Sequence, residues 1–237
     1  MSTTEQKALY KFEVLGRPAF AAVKVYLDKP GQQVVGEGGA MIYMSGQIHM
    51  ETKASGGLMK GLKRKFSGES FFQNYFSLPE GAPPGYVVFA AGLPGDIVHL
   101  HLNPGEEWTL SKDAYIAGSP SIAVSTKRGG MKQMFTGEGY FLTELKAEAE
   151  GDVWMGGYGH INRHDLAPGE ELAVDNGVML AFTSGMEHSF SKVGGKKSFL
   201  VGGEGVVIRY KGPGVVYTQN RELGALAAIL RPFFPSS

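Results

Sequence analysis

The amino-acid sequence predicts an all-β protein of three tandem repeats that ends in a short helix. Its 35 glycines and 12 prolines interrupt short segments rich in Val, Ile, Phe and Tyr, a composition typical of many short strands joined by tight turns. A Pro-Gly turn, a Gly-Glu dipeptide and a Gly-led apolar strand follow one another in the same order three times. Their spacing of roughly 65 to 70 residues indicates small units that share one core.

Each repeat carries the same landmarks along the 237-residue chain. The turns are Pro30-Gly31, Pro104-Gly105 and Pro168-Gly169, the dipeptides are Gly68-Glu69, Gly137-Glu138 and Gly203-Glu204, and the closing strands begin at Gly85, Gly151 and Gly214. From these landmarks we predict one globular body. It comprises repeat 1 (residues 1–92, with a basic insertion at 53–66), repeat 2 (93–158), repeat 3 (159–220) and a helical tail (221–237).

The residue types in the turns and strands fit this assignment. In each turn, proline presets φ and glycine accepts the positive φ that a type II turn requires. Before the second turn, Val98, Leu100 and Leu102 alternate with His99 and His101. This alternation predicts a strand with one apolar face and one hydrated, partly polar face.

The C-terminal tail contains the segment that the sequence predicts to be helical. Apolar residues recur at helical spacing between Glu222 and Leu230, and Pro232 ends the pattern. We expect this helix to pack on the sheet or on a neighbouring subunit, because it is too short for a membrane anchor and lacks a strongly basic face.

Charge and cysteine content exclude several classes of function. Lys and Arg together number 23, as do Asp and Glu, so no global field attracts nucleic acid or an anionic membrane. The sequence has no cysteine, which excludes disulfides, thiolate nucleophiles and Cys-ligated metals. Residues 1–11 lack the apolar core of a secretory signal. We therefore expect a soluble cytoplasmic protein that needs no cofactor and binds no nucleic acid.

A metal site is one candidate for function. His99 and His101 lie two residues apart on a strand, and Glu106 follows the next turn. Two imidazoles and a carboxylate are suitable ligands for a divalent metal, and the arrangement resembles the first motif of the cupins. A third imidazole from His160, His164 or His188 would be needed. The alternative is that both histidines lie on an exposed, hydrated strand face.

A basic segment is the second candidate. Between Lys53 and Phe66 there is no acidic residue, and the segment contains Lys60, Lys63, Arg64 and Lys65. Together with apolar residues at helical spacing, it predicts either a short amphipathic element on anionic lipid or a solvated loop. On the first interpretation, binding to vesicles falls as salt screens the charges.

The repeated Gly-Glu dipeptides place one carboxylate in each repeat. Glu69, Glu138 and Glu204 either form a ring of three carboxylates or cap the backbone at a bend before an apolar strand. We favour the structural role, because repeated turn residues usually serve the backbone.

Several motifs in order along nearly the whole chain resemble one family. They are Glu37–Met44, Glu51–Lys53, Gly68–Phe72, Pro94–Ile97, Leu166–Leu172, Gly202–Gly205, Thr218–Arg221 and Leu223–Leu226. The pattern is similar to that of the altered-inheritance-of-mitochondria twenty-four family, long labelled a domain of unknown function.

This resemblance implies a double-stranded β-helix like that of the tryptophan RNA-binding attenuation protein (TRAP), with repeats about a pseudo-threefold axis, but no tryptophan or RNA binding. Bacterial members are mostly uncharacterised, whereas fungal members are mitochondrial inner-membrane proteins linked to the cristae junction complex. The targeting extension of the fungal members is not seen here. The family has no agreed catalytic residues to transfer.

A strong repeat without catalytic chemistry predicts a non-enzymatic scaffold or interaction protein. Its partner would be another protein or a second copy of the chain, with peripheral membrane contact as a further option. The alternatives are the cupin-like metalloprotein and the anionic-lipid binder described above.

Overall fold

Strands dominate the computed structural model, which describes residues 7–54, 72–128, 141–192 and 206–234. Within these residues there are 19 strands arranged in four sheets and one short α-helix near the C-terminus. The predicted all-β class with a C-terminal helix is therefore confirmed.

The strands are described in chain order. The first, β1 (Phe12–Leu15), precedes three runs of six strands. Run one contains β2 (Ala22–Leu27), β3 (Gln33–Glu37), β4 (Met41–Met44), β5 (His49–Ala54), β6 (Phe72–Ser77) and β7 (Gly85–Ala90). Run two contains β8 (Ile97–Leu102), β9 (Glu107–Ser111), β10 (Tyr115–Gly118), β11 (Ile122–Arg128), β12 (Phe141–Ala147) and β13 (Gly151–Gly156).

Run three and the tail complete the described chain. Run three contains β14 (Ile161–Leu166), β15 (Glu171–Asp175), β16 (Met179–Thr183), β17 (Glu187–Lys192), β18 (Val206–Lys211) and β19 (Gly214–Gln219). Helix α1 (Leu223–Leu230) follows, and 3₁₀ turns occupy Asn176–Val178 and Arg231–Phe233. No helix in the described part of the chain is long and apolar enough to cross a bilayer.

Each run of six strands has the same antiparallel pairing. The first strand pairs with the sixth and the sixth with the third, as in β2-β7-β4, β8-β13-β10 and β14-β19-β16. The second pairs with the fifth and the fifth with the fourth, as in β3-β6-β5, β9-β12-β11 and β15-β18-β17.

Neighbouring runs are joined by strand pairing across their boundary. Strand β10 of run two lies beside β3 of run one, and β16 of run three lies beside β9 of run two. The result is two six-stranded sheets, β5-β6-β3-β10-β13-β8 and β11-β12-β9-β16-β19-β14. Each of these sheets takes strands from two runs, so the backbone hydrogen bonds of one run depend on its neighbour.

The three Pro-Gly turns have the predicted glycine conformation. The φ angles are 73° at Gly31, 86° at Gly105 and 82° at Gly169. These values lie in the left-handed region that L-residues with a Cβ rarely adopt. The turn chemistry was therefore correctly predicted from the dipeptide alone.

Apolar side chains form one main cluster around each run. Strand β13 lies between two of these clusters, and all six of its residues are buried. Val153 and Met155 face the cluster around run two, whereas Trp154 faces the cluster around run one. Because β13 is covered on both faces, its residues do not alternate between buried and exposed as they do in a sheet that has one face in water.

We predict that Gly105→Ala lowers the free energy of unfolding by about 1 kcal/mol, because alanine pays a steric cost at positive φ. No atom lies within 4 Å of the added Cβ, so the effect comes from the backbone alone. Chemical denaturation of both proteins measures it.

The matched control is Gly46→Ala, where the added Cβ is equally unobstructed and φ lies outside the positive range. This change should leave the unfolding free energy unchanged or slightly raised. Equal losses in the two variants would contradict the turn assignment.

Candidate functional site

The predicted metal ligands do not come together in the structure. His99 and His101 both contact Asp152, at 2.9 Å from His99 Nε2 and from His101 Nδ1 to Asp152 Oδ1. The Glu106 carboxylate instead accepts a hydrogen bond from the backbone N–H of Asn103 at 2.7 Å. In the part of the chain that the structure describes, no three His, Cys, Asp or Glu side chains are placed to hold a metal.

Glu106 has a structural role that recurs in the other Pro-Gly turns. Glu170 accepts from the backbone N–H of Ala167 at 2.9 Å, and Gln32 accepts from that of Lys29 at 3.2 Å. All three side chains stand two residues after the turn proline and close the turn from outside. The same hydrogen bond in the other turns explains why Glu106 follows the second turn, and this explanation does not require a metal.

The histidines also do not lie on a hydrated face, so this alternative was wrong for His99, which is only 5% exposed. The Phe12 ring lies 4.6 Å from its imidazole and the Trp154 ring 5.7 Å, measured between ring centroids. The N-terminal segment therefore covers the face of β8 that the alternation left open.

Asp152 is the centre of this buried polar cluster. Its side chain is fully buried, and Oδ2 accepts the backbone N–H groups of Leu9 at 2.6 Å and Tyr10 at 3.1 Å. Burial alone would raise its pKa, but the hydrogen bonds from His99 and His101 outweigh burial and hold the pKa below its usual value. Asp152 is therefore an ionised carboxylate that binds the N-terminal segment to β8 and β13.

An ionic chain leads from Asp152 to the surface. The His101 ring contacts Asp152 Oδ1 through Nδ1 and Glu150 Oε1 through Nε2, each at 2.9 Å. Lys7 pairs with the same Glu150 carboxylate. Lys7, followed by His101, lowers the pKa of Glu150. Side-chain contacts thus run without interruption from Lys7 through Glu150 and His101 to Asp152, an arrangement suited to holding a segment in place.

The remaining predicted positions are not brought into this cluster. His164 Nε2 contacts Thr218 Oγ1 at 3.0 Å, His188 Nδ1 donates to the carbonyl of Met186 at 2.9 Å, and His160 is exposed. The basic residues Lys60, Lys63, Arg64 and Lys65 and the repeat carboxylates Glu69, Glu138 and Glu204 lie outside the described residues. The lipid site and the carboxylate ring stay predictions.

A cavity of about 1380 Å³ lies where corresponding turns of the three runs meet. The turns are those between β3 and β4, between β9 and β10, and between β15 and β16. Its described lining carries Glu37, Asp113, Asp175 and Glu222 against one cation, Lys112. The cavity therefore has a negative field that the balanced net charge of the chain conceals.

Glu37 has the most unusual environment in this cavity. Burial is the main reason that its pKa rises to about 7, and the negative charge of Asp113 adds to it, whereas Lys112 opposes it. Sequence analysis missed this residue, although Glu37 begins the Gly-Gly segment of the family motif. Its neighbours Lys112 and Asp113 are about 75 residues away along the chain, so no local signal identified the group.

We predict that Asp152→Asn lowers the free energy of unfolding by about 3 to 5 kcal/mol, the range for breaking a buried ion pair. The lowered pKa of Asp152 means that its contribution is present above the pKa of the unfolded chain. It is lost as the pH falls through the lower folded-state pKa. Denaturant titrations between pH 2 and 7 test both statements.

Asp165→Asn is the matched control for Asp152→Asn. Asp165 pairs with Arg163 on the surface, so its loss should change stability by no more than about 1 kcal/mol. Equal effects at the two positions would contradict the role assigned to Asp152.

We predict that Glu37→Gln stabilises the protein at pH 8 more than at pH 5. Because the folded-state pKa of Glu37 is raised to about 7, the contribution of Glu37 to stability is greatest below the unfolded pKa of Glu and is lost as the pH rises through 7. Glutamine removes that loss. Melting temperatures of both proteins from pH 4 to 9 measure the difference, and exposed Glu171→Gln should not reproduce it.

Comparison with known proteins places the chain among uncharacterised relatives. An uncharacterised protein of Streptococcus pyogenes serotype M6 is 26% identical over 226 residues, which cover 92% of this chain and 88% of that protein. The crystal structure of a Streptococcus pyogenes protein from a structural genomics programme has a TM-score of 0.76 and 24% identity. The match covers 95% of this chain and 100% of that one.

The similarity to the solved structure supports the fold, since it extends over both chains. The sequence model described as "Mitochondrial biogenesis AIM24" matches residues 12–221, from the first strand to two residues before α1. This match agrees with the resemblance seen in the sequence motifs. The chain belongs to the AIM24 family.

Proposed function

We propose that this protein is a non-enzymatic interaction protein that binds a partner protein through its C-terminal helix. One observation carries the proposal: α1 is built entirely from Leu, Ile, Ala and Gly, yet none of its residues is buried. The adjoining Phe233 and Phe234 are 81% and 68% exposed. In the described chain no residue of α1 is buried against the sheet, whereas packing on a neighbouring subunit, the other half of the expectation, stays a prediction.

The exposure of α1 is energetically unfavourable in water. Removing apolar surface from water contributes about 25 cal/mol per Å², and contiguous exposed apolar patches commonly mark interaction sites. A helix that is apolar on all sides is typical of one surrounded by other protein or by lipid. Docking into a groove on a partner would remove much of this apolar surface from water.

Elsewhere in the described chain, the polar side chains that suggested a metal site make contacts that stabilise the fold. The imidazoles of His99 and His101 bind Asp152, and the carboxylate of Glu106 closes a turn. These contacts support a structural role for the residues that had suggested a metalloprotein. The proposal therefore rests on the exposed apolar surface of α1 and not on reactive side chains.

A photo-crosslinking amino acid at position 233 tests the proposal in living cells. We expect a discrete covalent adduct with a protein, because Phe233 stands at the exposed end of the apolar segment. The same crosslinker at exposed, polar Glu148 should give none. An adduct of twice the chain mass would identify a second copy as the partner.

The double variant Phe233→Ser, Phe234→Ser separates interaction from folding. Neither ring is buried, so the unfolding free energy should change by less than about 0.5 kcal/mol. With the crosslinker moved to position 229, the adduct should be lost from this variant. Identical adducts at 233 and 148, or turnover of a substrate that one polar substitution abolishes, would contradict the proposal.

A further inference from the structure

Two boundaries between the runs are built from the same strand pairing. At the first, β10 lies along β3, with Ala117 opposite Gly36. At the second, β16 lies along β9, with Ala181 opposite Leu110. In both, the third strand of one run pairs with the second strand of the preceding run. Both alanines are fully buried.

The third strand of run one, β4, has no such neighbour. It forms the edge of the sheet β1-β2-β7-β4, and β15 forms the edge of the sheet β15-β18-β17. In the described chain, the pairings place no strand on the outer side of either β4 or β15. A sheet edge of this kind presents backbone N–H and C=O groups that can pair with a further strand.

Exposure marks β4 as the open counterpart of β10 and β16. A register shift occurs at the same place in all three strands, so Tyr43 corresponds to Ala117 and Ala181. Tyr43 is 48% exposed and Ile42 54%, whereas the residues that correspond to Ile42 are each 1% exposed; these are Ile116 and Leu180. Two large apolar side chains of β4 are thus exposed at positions whose counterparts in β10 and β16 are buried.

The cavity adjoins this open edge. Ile42 of β4 lines it on one side, and Asp175, the last residue of β15, lines it on another. Its volume of about 1380 Å³ exceeds the roughly 300 to 1,000 Å³ typical of sites for small ligands. Among the described residues that line it, four carboxylates against one lysine favour a cationic occupant.

We propose that β4 binds an extended cationic segment of a partner protein, which adds to the sheet as a further strand and lies against the acidic cavity. Backbone hydrogen bonds to β4 would provide affinity, as in other cases of strand addition. Ile42 and Tyr43 contact alternate side chains of the segment, and its basic residues face Glu37 and Asp113. Phe233 and Phe234 do not line this cavity, although Leu223 and Gly224 at the start of α1 do, so the two proposed surfaces adjoin and are tested with separate substitutions.

The probe is a synthetic peptide of residues 105–112 with Glu106→Lys and Glu107→Lys. It contains β9, the strand that occupies the corresponding edge of β16. We expect saturable binding in calorimetry to the Phe233→Ser, Phe234→Ser protein, which lacks the two exposed rings that follow α1. The unsubstituted peptide, which carries two glutamates instead, should bind at least tenfold more weakly.

Backbone methylation of the peptide tests for strand addition directly. In an antiparallel pair, alternate residues direct their N–H groups to the neighbouring strand. N-methylation of every second residue in one phase should therefore abolish binding, while the other phase retains it within about threefold. Equal effects of the two phases would overturn the proposal, because a side-chain-only contact has no such alternation.

Substitutions in the protein locate the site. Ile42→Lys should weaken binding at least tenfold, since it places a cation against a cationic peptide. Met50→Lys is the control, because Met50 is a similarly exposed residue on β5. It should change affinity by less than twofold, and both variants should melt within a few degrees of the parent.

Three results would overturn the proposal. The first is no saturable binding of the substituted peptide at millimolar concentration. The second is a dimer in sedimentation that Ile42→Lys dissociates, which assigns the edge to a second copy. The third is a disulfide that forms quantitatively within single chains of the Tyr43→Cys, Val174→Cys variant, which shows that β15 itself closes the edge.

Discussion

Backbone pairing across the boundaries of the three runs is the interaction on which the rest of this structure depends. Strand β10 completes a sheet begun by β3, and β16 completes one begun by β9. Each run alone would be only marginally stable, because a unit of its size buries a small fraction of its surface, and the shared sheets make the runs mutually dependent. The same pairing positions the three turns whose meeting creates the acidic cavity. Strand pairing between the runs thus determines both the fold and the position of the candidate binding surface.

A second constraint fixes the N-terminal segment to this framework. The buried Asp152 carboxylate accepts two imidazole and two backbone N–H groups, and Lys7 and Glu150 extend the charges to the surface. An ionised group can remain buried only when it is paired and fully hydrogen-bonded. The segment brings Phe12 onto His99 and Trp154, so it also closes the apolar cluster of run one. These contacts give the His99-x-His101 pattern a structural explanation.

The described chain leaves two apolar surfaces uncovered, and they differ in kind. Helix α1 exposes side chains on all sides, whereas β4 exposes an edge with both backbone and side-chain groups. A helix is recognised by a groove and a strand edge by another strand. The two proposed surfaces would therefore recognise partners in different ways, the helix through a groove and the edge through backbone pairing.

The metal prediction shows where the sequence was misleading. His99, His101 and Glu106 are close along the chain, but Glu106 serves a local turn that recurs at Glu170. The partner of the histidines is Asp152, about 50 residues further along the chain. The alternation in β8 suggested a hydrated face because nothing local revealed that the N-terminal segment covers it. Glu37 was missed for the same reason.

The sequence by itself determined the β class, the turns, the helix and the family resemblance. These features depend on neighbouring residues: glycine accepts positive φ at Gly31, Gly105 and Gly169, and helical spacing is visible within eight residues. Only the tertiary structure decided which face of β8 is buried, which carboxylate holds the histidines, and which strand edge stays open. Burial, ion pairing and strand pairing join segments far apart in the chain, and local pattern does not encode their contacts.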